Sequence, residues 1–136
     1  MRFFQRLLVT SRNMIYCVSK RMEISAAHRL SLSYESKCQS LHGHNWIITV
    51  YLFKRDKLNT DGMVFDFTHI KKAIHDRLDH AYLNDVVPYN PTAENIARWV
   101  VNQFEECYKA EVQESEGNVA QAIDETKIVG IENLVM

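Results

Sequence analysis

Two stretches of strict alternation, each running into histidine, constrain the fold of this chain more than any other feature. From Ile15 to His28, Met22, Ile24 and Ala26 alternate with Arg21, Glu23 and Ser25, and His28 keeps the apolar parity. From His42 to Lys54, Trp46, Ile48, Val50 and Leu52 share one parity with His42 and His44. A period of two marks a strand with one buried face. Both stretches are expected to be strands of one sheet, each carrying imidazole at one end of its buried face. The polar run Ser31 to Ser40 reads as the loop between them.

After the Asp61-Gly62 turn signal the period changes. Phe67, Ile70, Ala73, Ile74 and Leu78 follow helical spacing, with Asp66 placed to cap the N-terminus and Asp79-His80 where the helix ends. Asn90-Pro91-Thr92 opens a second helix, with the stripe Ile96, Ala97, Val100, Val101 and Phe104, which Cys107 extends. A final hairpin is expected through Glu111 to Ser115, turning near Glu116-Gly117-Asn118 and returning from Val119. The order β-β-α-α-β-β predicts an α+β protein: an antiparallel sheet with two helices on one face. The open edges of so small a sheet make assembly a natural expectation.

At 136 residues the chain is expected to be a single domain, spanning 14–123. Residues 1–13 are basic and lack acidic side chains. Their apolar patches are short and broken by Arg6, so they read as an extension with Met14 opening the domain. The tail, 124–136, reads as weakly strand-like and as a second extension. A net charge of −1 argues against a nucleic-acid surface or a polybasic membrane patch. No apolar run is long enough to span a membrane. Cys17, Cys38 and Cys107, odd in number and widely spaced, point to a reducing, cytoplasmic compartment and not to a disulfide framework.

The chemistry concentrates in Cys38-Gln-Ser-Leu-His42-Gly-His44. His42 and His44 point to one face of an extended strand, and His28 ends the neighbouring strand on the same parity. Burying three imidazoles without partners is costly. As three neutral nitrogen donors they favour zinc and leave one coordination position open, which is the pattern of a Lewis-acid site. Beside a metal, the thiolate form of Cys38 is favoured, making it a candidate base or nucleophile. Asp79-His80 reads either as a polar helix end or as a carboxylate orienting a proton-carrying imidazole. Glu114 reads by default as an exposed strand carboxylate, Thr92 as a helix cap, and His69 and His75 as surface residues.

Taken in order, the motifs resemble the 6-pyruvoyltetrahydropterin synthase family. They are Ala26-Ala27-His28-Arg29-Leu30, Cys38-x3-His42-Gly43-His44, Gly62-Met63-Val64-x-Asp66-Phe67, Leu78-Asp79-His80-x-x-Leu83-Asn84, Asn90-Pro91-Thr92-x-Glu94-Asn95 and Val112-x-Glu114-Ser115. The resemblance runs from about Tyr16 to Ala120. It implies zinc on His28, His42 and His44, Cys38 as catalytic base, Asp79 and His80 as a proton-transfer pair, and Glu114 anchoring a pterin ring with Thr92 nearby. It implies the tunnelling fold, assembled as a homohexamer of two stacked trimers with sites between subunits. The three residues between Cys38 and His42 match the branch of queuosine biosynthesis. That branch converts 7,8-dihydroneopterin triphosphate to 6-carboxy-5,6,7,8-tetrahydropterin, with release of acetaldehyde and triphosphate. The alternatives are a synthase that stops at 6-pyruvoyltetrahydropterin and a non-catalytic, zinc-stabilised pterin-binding subunit.

Overall fold

A computed structural model describes residues 13–135. Most of the N-terminal extension expected from the sequence lies outside the described residues. Four strands form one antiparallel sheet in chain order: β1 (Ile15–His28), β2 (His42–Arg55), β3 (Cys107–Ser115) and β4 (Asn118–Ile123). Between β2 and β3 come the helices α1 (Phe67–Ala73), α2 (His75–Leu78), α3 (Leu83–Val86) and α4 (Ala93–Val101); α5 (Glu132–Val135) follows the sheet. This is the α+β arrangement expected from the alternation of periods. Among the described residues no helix is long and apolar enough to cross a membrane.

The β1–β2 register pairs Met22 with Ile48, Ile24 with Trp46, Ala26 with His44 and His28 with His42. Slipping it by one residue would turn every one of these side chains to the other face. Met22, Ile24, Ala26, Trp46, Ile48, Val50 and Leu52 are all buried, and the Trp46 indole N–H donates to Ala26 O at 3.1 Å. The hydrophobic pattern therefore fixes the register, and the register sets His28 opposite His42.

The helical layer departs from expectation in detail. The segment from Asp66 to Leu78 breaks at Ile74 (φ −112°, ψ −67°) into α1 and α2, while Ile70, Ile74 and Leu78 stay fully buried. Asp66 caps α1 as expected, accepting from Thr68 N–H at 2.8 Å. Phe67, placed in the stripe by spacing, is 49% exposed; Phe65 packs inward instead, edge-on to Phe104 at 4.9 Å. Thr92 caps α4. Cys107 does not extend that helix: it opens β3, opposite Leu52, and is buried from the sheet side. A bulge follows, since Leu52 pairs with Cys107 and Tyr51 with Lys109, leaving Tyr108 as the extra residue.

Tyr108 belongs to a second apolar cluster, on the sheet face opposite the helices. The tail is not a strand. It forms a short 3₁₀ turn and α5, and buries Ile128 and Ile131 against Tyr108, with Tyr51, Phe53 and Ile123 alongside. The Tyr108 hydroxyl donates to Val135 O at 2.9 Å. The spacing of three between Ile128 and Ile131 suits a helical turn better than alternation.

Candidate metal centre and surrounding residues

His28 and His42 are cross-strand partners, and His44 sits one diagonal step away on the same face. Ring centroids lie 4.5 Å apart for His28–His42, 4.9 Å for His42–His44 and 5.3 Å for His28–His44. One nitrogen from each ring falls within 4.8 Å of the others. His28 Nδ1 lies 2.8 Å from Pro91 O and His42 Nδ1 lies 2.7 Å from Ser40 O. A carbonyl only accepts, so both Nδ1 atoms carry the proton and both Nε2 lone pairs are left free. The Nε2 atoms of His28 and His44 are buried with no hydrogen-bond partner among the described residues.

Two buried ring nitrogens without partners among the described residues are costly unless something binds them. A cation is the group that a cluster of imidazole lone pairs suits, and backbone acceptors on the far nitrogens are the usual supports of metal-bound histidine. The donor set therefore fits zinc. Trp46 lies under the cluster, edge-on to His28 at 4.9 Å and to His44 at 5.2 Å.

His28 is fully buried, and that burial pushes its pKa below the ordinary imidazole value; the bond to Pro91 opposes the shift and the neighbouring His42 adds to it. The neutral ring is the ligand form. Above the unfolded pKa of about 6.5 both states are neutral and the shift contributes nothing. As pH falls through that value the unfolded chain binds the proton first, so the metal-free protein loses stability toward acid. The Tm of the metal-free protein should fall between about pH 8 and pH 5.5, and His28→Gln should flatten that slope. An unchanged slope in the variant would remove His28 as its source.

Glu114 continues the core parity of Val112 to the same end of β3. Its carboxylate lies 3.6 Å from His44 Nε2 and 3.9 Å from His28 Nε2. The default reading of an exposed strand carboxylate is corrected here: the side chain is half-buried against the histidines. Glu114 and Thr92 line one cleft of about 540 Å³, together with Leu30, Glu94 and Gln121.

Cys38 lies on a 3₁₀ turn, Lys37–Gln39, in the loop between β1 and β2. Its N–H donates to Ser36 Oγ at 3.2 Å and its carbonyl accepts from Leu30 N–H at 2.8 Å, which ties the turn to the end of β1. Two asparagines hold this loop. Asn84 exchanges bonds of 3.0 and 2.8 Å with the backbone of Arg29, and Asn90 exchanges bonds of 2.9 and 2.9 Å with Ser31. Each amide serves as a one-residue strand partner for the extension of β1. Neither role has a signal in the sequence pattern: Asn84 lies in the short helix α3 and Asn90 in the loop before α4. The other cysteines are apart from this region, Cys17 on β1 and Cys107 in the core, where burial pushes its thiol pKa up.

Asp79 and His80 lie along the free edge of β1. Asp79 Oδ1 accepts from Ser25 N–H at 2.9 Å, His80 N–H donates to Ser25 O at 2.7 Å, and Ala27 N–H donates to Ala81 O at 3.1 Å. The Ser25 N–H holds the Asp79 carboxyl below the usual carboxylate range. His80 adopts a left-handed backbone (φ 59°), and its side chain is 83% exposed, with Nε2 3.5 Å from Asp79 Oδ2. Such a conformation costs a non-glycine residue about 1 kcal/mol or more. The backbone pairing with β1 holds it there. His80 borders a cleft lined by Ser25, Ala26, Ala27, Gly43, His44 and Asn45. The pair is thus assembled along the free edge of β1, with His44 of the cluster on the wall of the same cleft. His75, expected at the surface, is partly buried and lies 3.9 Å from Asp79 Oδ2, whereas His69 is exposed as expected.

The model of the family described as 6-pyruvoyl tetrahydropterin synthase matches residues 17–125. A 6-carboxy-5,6,7,8-tetrahydropterin synthase from Synechocystis sp. is 38% identical over 102 residues, which cover 68% of this chain and 78% of that protein. The protein of the same name from Rickettsia felis is 35% identical over 116 residues, covering 67% of this chain and 80% of its own length. The structure of Caenorhabditis elegans 6-pyruvoyl tetrahydropterin synthase superposes with a TM-score of 0.64 at 26% identity, over 81% of this chain and 96% of that one.

Proposed function

This chain belongs to the 6-pyruvoyl tetrahydropterin synthase family, and from that premise we propose that it is a zinc-dependent lyase acting on 7,8-dihydroneopterin triphosphate. With water, the substrate yields 6-carboxy-5,6,7,8-tetrahydropterin, acetaldehyde and triphosphate. The observation that carries this reading is the convergence of His28, His42 and His44, with unpartnered Nε2 atoms on His28 and His44, beside the Glu114 carboxylate. The names of the relatives and the three residues between Cys38 and His42 favour the carbon–carbon-cleaving branch, and with it a place in queuosine biosynthesis. Three unpaired cysteines suit a cytoplasmic setting.

Zinc held by the three histidines supplies Lewis-acid polarisation of the side-chain oxygens of the substrate. The protein's own groups do the rest. Glu114 accepts two ring N–H donors and fixes the register of the pterin, with Thr92 on the same cleft wall. Cys38, as thiolate, takes a proton from a side-chain carbon. His80, oriented by Asp79, returns a proton along the path as triphosphate is eliminated.

Asp79 and His80 stand at the exposed edge of β1, with the His80 side chain 83% exposed and open to a neighbouring copy. A second copy supplies them, which is the expected homohexamer of two trimers with sites between subunits. The prediction is specific. Cys38→Ala and His80→Ala proteins, each inactive alone, should regain turnover when assembled together. Random mixing in equal amounts restores about one site in four. No recovery in mixed assemblies would place the whole site within one chain.

The direct test is incubation of the zinc-loaded protein with 7,8-dihydroneopterin triphosphate, followed by product identification by mass spectrometry. The 6-carboxy product with acetaldehyde is expected. Accumulation of 6-pyruvoyltetrahydropterin would move the protein to the non-cleaving branch. Zinc and pterin binding without triphosphate release would make it a binding subunit.

A further inference from the structure

The Asp79 carboxylate is shared between two imidazoles. Oδ1 is occupied by the Ser25 N–H, so Oδ2 is the oxygen that faces side chains. His80 Nε2 lies 3.5 Å from Oδ2, and His75 Nε2 lies 3.9 Å from the same atom. His75 stands one helical turn before Asp79, so its reach follows from helix geometry. Its other nitrogen, Nδ1, is 3.2 Å from Asp76 Oδ1, and that oxygen also accepts from Lys71 Nζ at 2.9 Å. Lys71, Asp76, His75, Asp79 and His80 thus form one continuous line. The side chains facing Asp79 Oδ2 are His80 and His75, with Asp76 and Lys71 behind His75; β1 contributes the Ser25 backbone. The His80 side chain is the most exposed of the five, at 83% against 27% for His75.

We propose that His75 is a positioning residue for the Asp79–His80 pair. A carboxylate held at one oxygen by a single N–H can still swing about its own bond. His75 engages the second oxygen and is itself anchored through Asp76, so the carboxylate presents a fixed edge to His80. Both imidazole contacts are longer than a hydrogen bond, so the coupling acts through charge or a bridging water. Without His75 the carboxylate is free to turn, and the fixed edge it offers His80 is lost. The inference rests on the role given above to His80, but its first test needs no turnover.

That test follows the His80 ring by NMR at one fixed pH in the whole zinc-loaded protein, with carbon-13-labelled histidine and His80→Ala to assign the signal. In His75→Ala the His80 ring signals should shift or broaden as Asp79 loses its second contact, and in His75→Gln they should stay close to their wild-type positions. His80 signals unmoved in His75→Ala overturn the proposal. The second arm is kinetic. His75→Ala should lower kcat about fivefold at unchanged KM, and His75→Gln, whose amide still reaches Asp79, should recover most of the loss. Equal losses in both variants would show a merely structural role and also overturn it. If the wild-type protein itself turns over no substrate, the functional reading fails, and the NMR comparison alone decides the role of His75.

Discussion

Cys38→Ala should abolish turnover while zinc and fold remain. The expected loss in kcat is about a hundredfold to ten-thousandfold, the usual range for removing a positioned general base. In energy that is roughly 3–5 kcal/mol of transition-state stabilisation. The fold should not notice, because the bonds that hold this turn are not made by the thiol. Ser36 Oγ accepts the Cys38 N–H, Ser40 N–H reaches Lys37 O at 3.0 Å, and Leu30 N–H reaches Cys38 O. Alanine keeps all three. The metal should stay as well, since the cluster is formed by His28, His42 and His44. Steady-state kinetics beside metal analysis and Tm check the prediction together. Near-normal kcat in Cys38→Ala would remove the thiol from the mechanism and leave the reading of this site without a base.

The second large effect separates two histidines by burial. His42→Ala should lower zinc affinity more than about a hundredfold, beyond the range seen when only an outer-shell partner is lost. Its ring is partly exposed, and Ser40 O, which it leaves behind, can turn to water, so Tm of the metal-free variant should change little. His28→Ala should lose zinc to the same degree and also destabilise the metal-free fold. That ring is fully buried, packs against Trp46 and satisfies Pro91 O. A cavity together with an unpaired carbonyl costs about 2–4 kcal/mol. Zinc content by mass spectrometry and thermal unfolding distinguish the two variants. Full metal occupancy in His42→Ala would refute the ligand assignment.

These two effects also show how far the sequence could be read. The period of two in β1 and β2 was enough to put three histidines at one end of a buried face, because register is dictated by the hydrophobic set. What orients the rings was not legible. Pro91 O and Ser40 O are backbone atoms, and a carbonyl has no signature in residue identity. Glu114 could be placed on the core parity of β3, but its default as a surface carboxylate was wrong, since the end of that strand closes over the cluster. The helix from Asp66 to Leu78 was legible as one stripe and broke at Ile74. Burial of Ile70, Ile74 and Leu78 survives the break, so the pattern of apolar residues does not register it.

The sequence by itself determined which residues alternate, which turn, and which imidazoles share a face, for all of these are short-range consequences of strand and helix geometry. Only the tertiary structure decided that the segment after α2 would lie along the free edge of β1. That segment is held by three backbone-level contacts to Ser25 and Ala27, made across fifty or so residues of chain and independent of local periodicity. The same holds for the tail, where Ile128 and Ile131 find a second apolar surface at Tyr108, which faces away from the core because one extra residue in β3 turns it there. Long-range docking settles on whichever surface best satisfies buried polar groups and apolar area together. No single stretch of sequence carries that comparison.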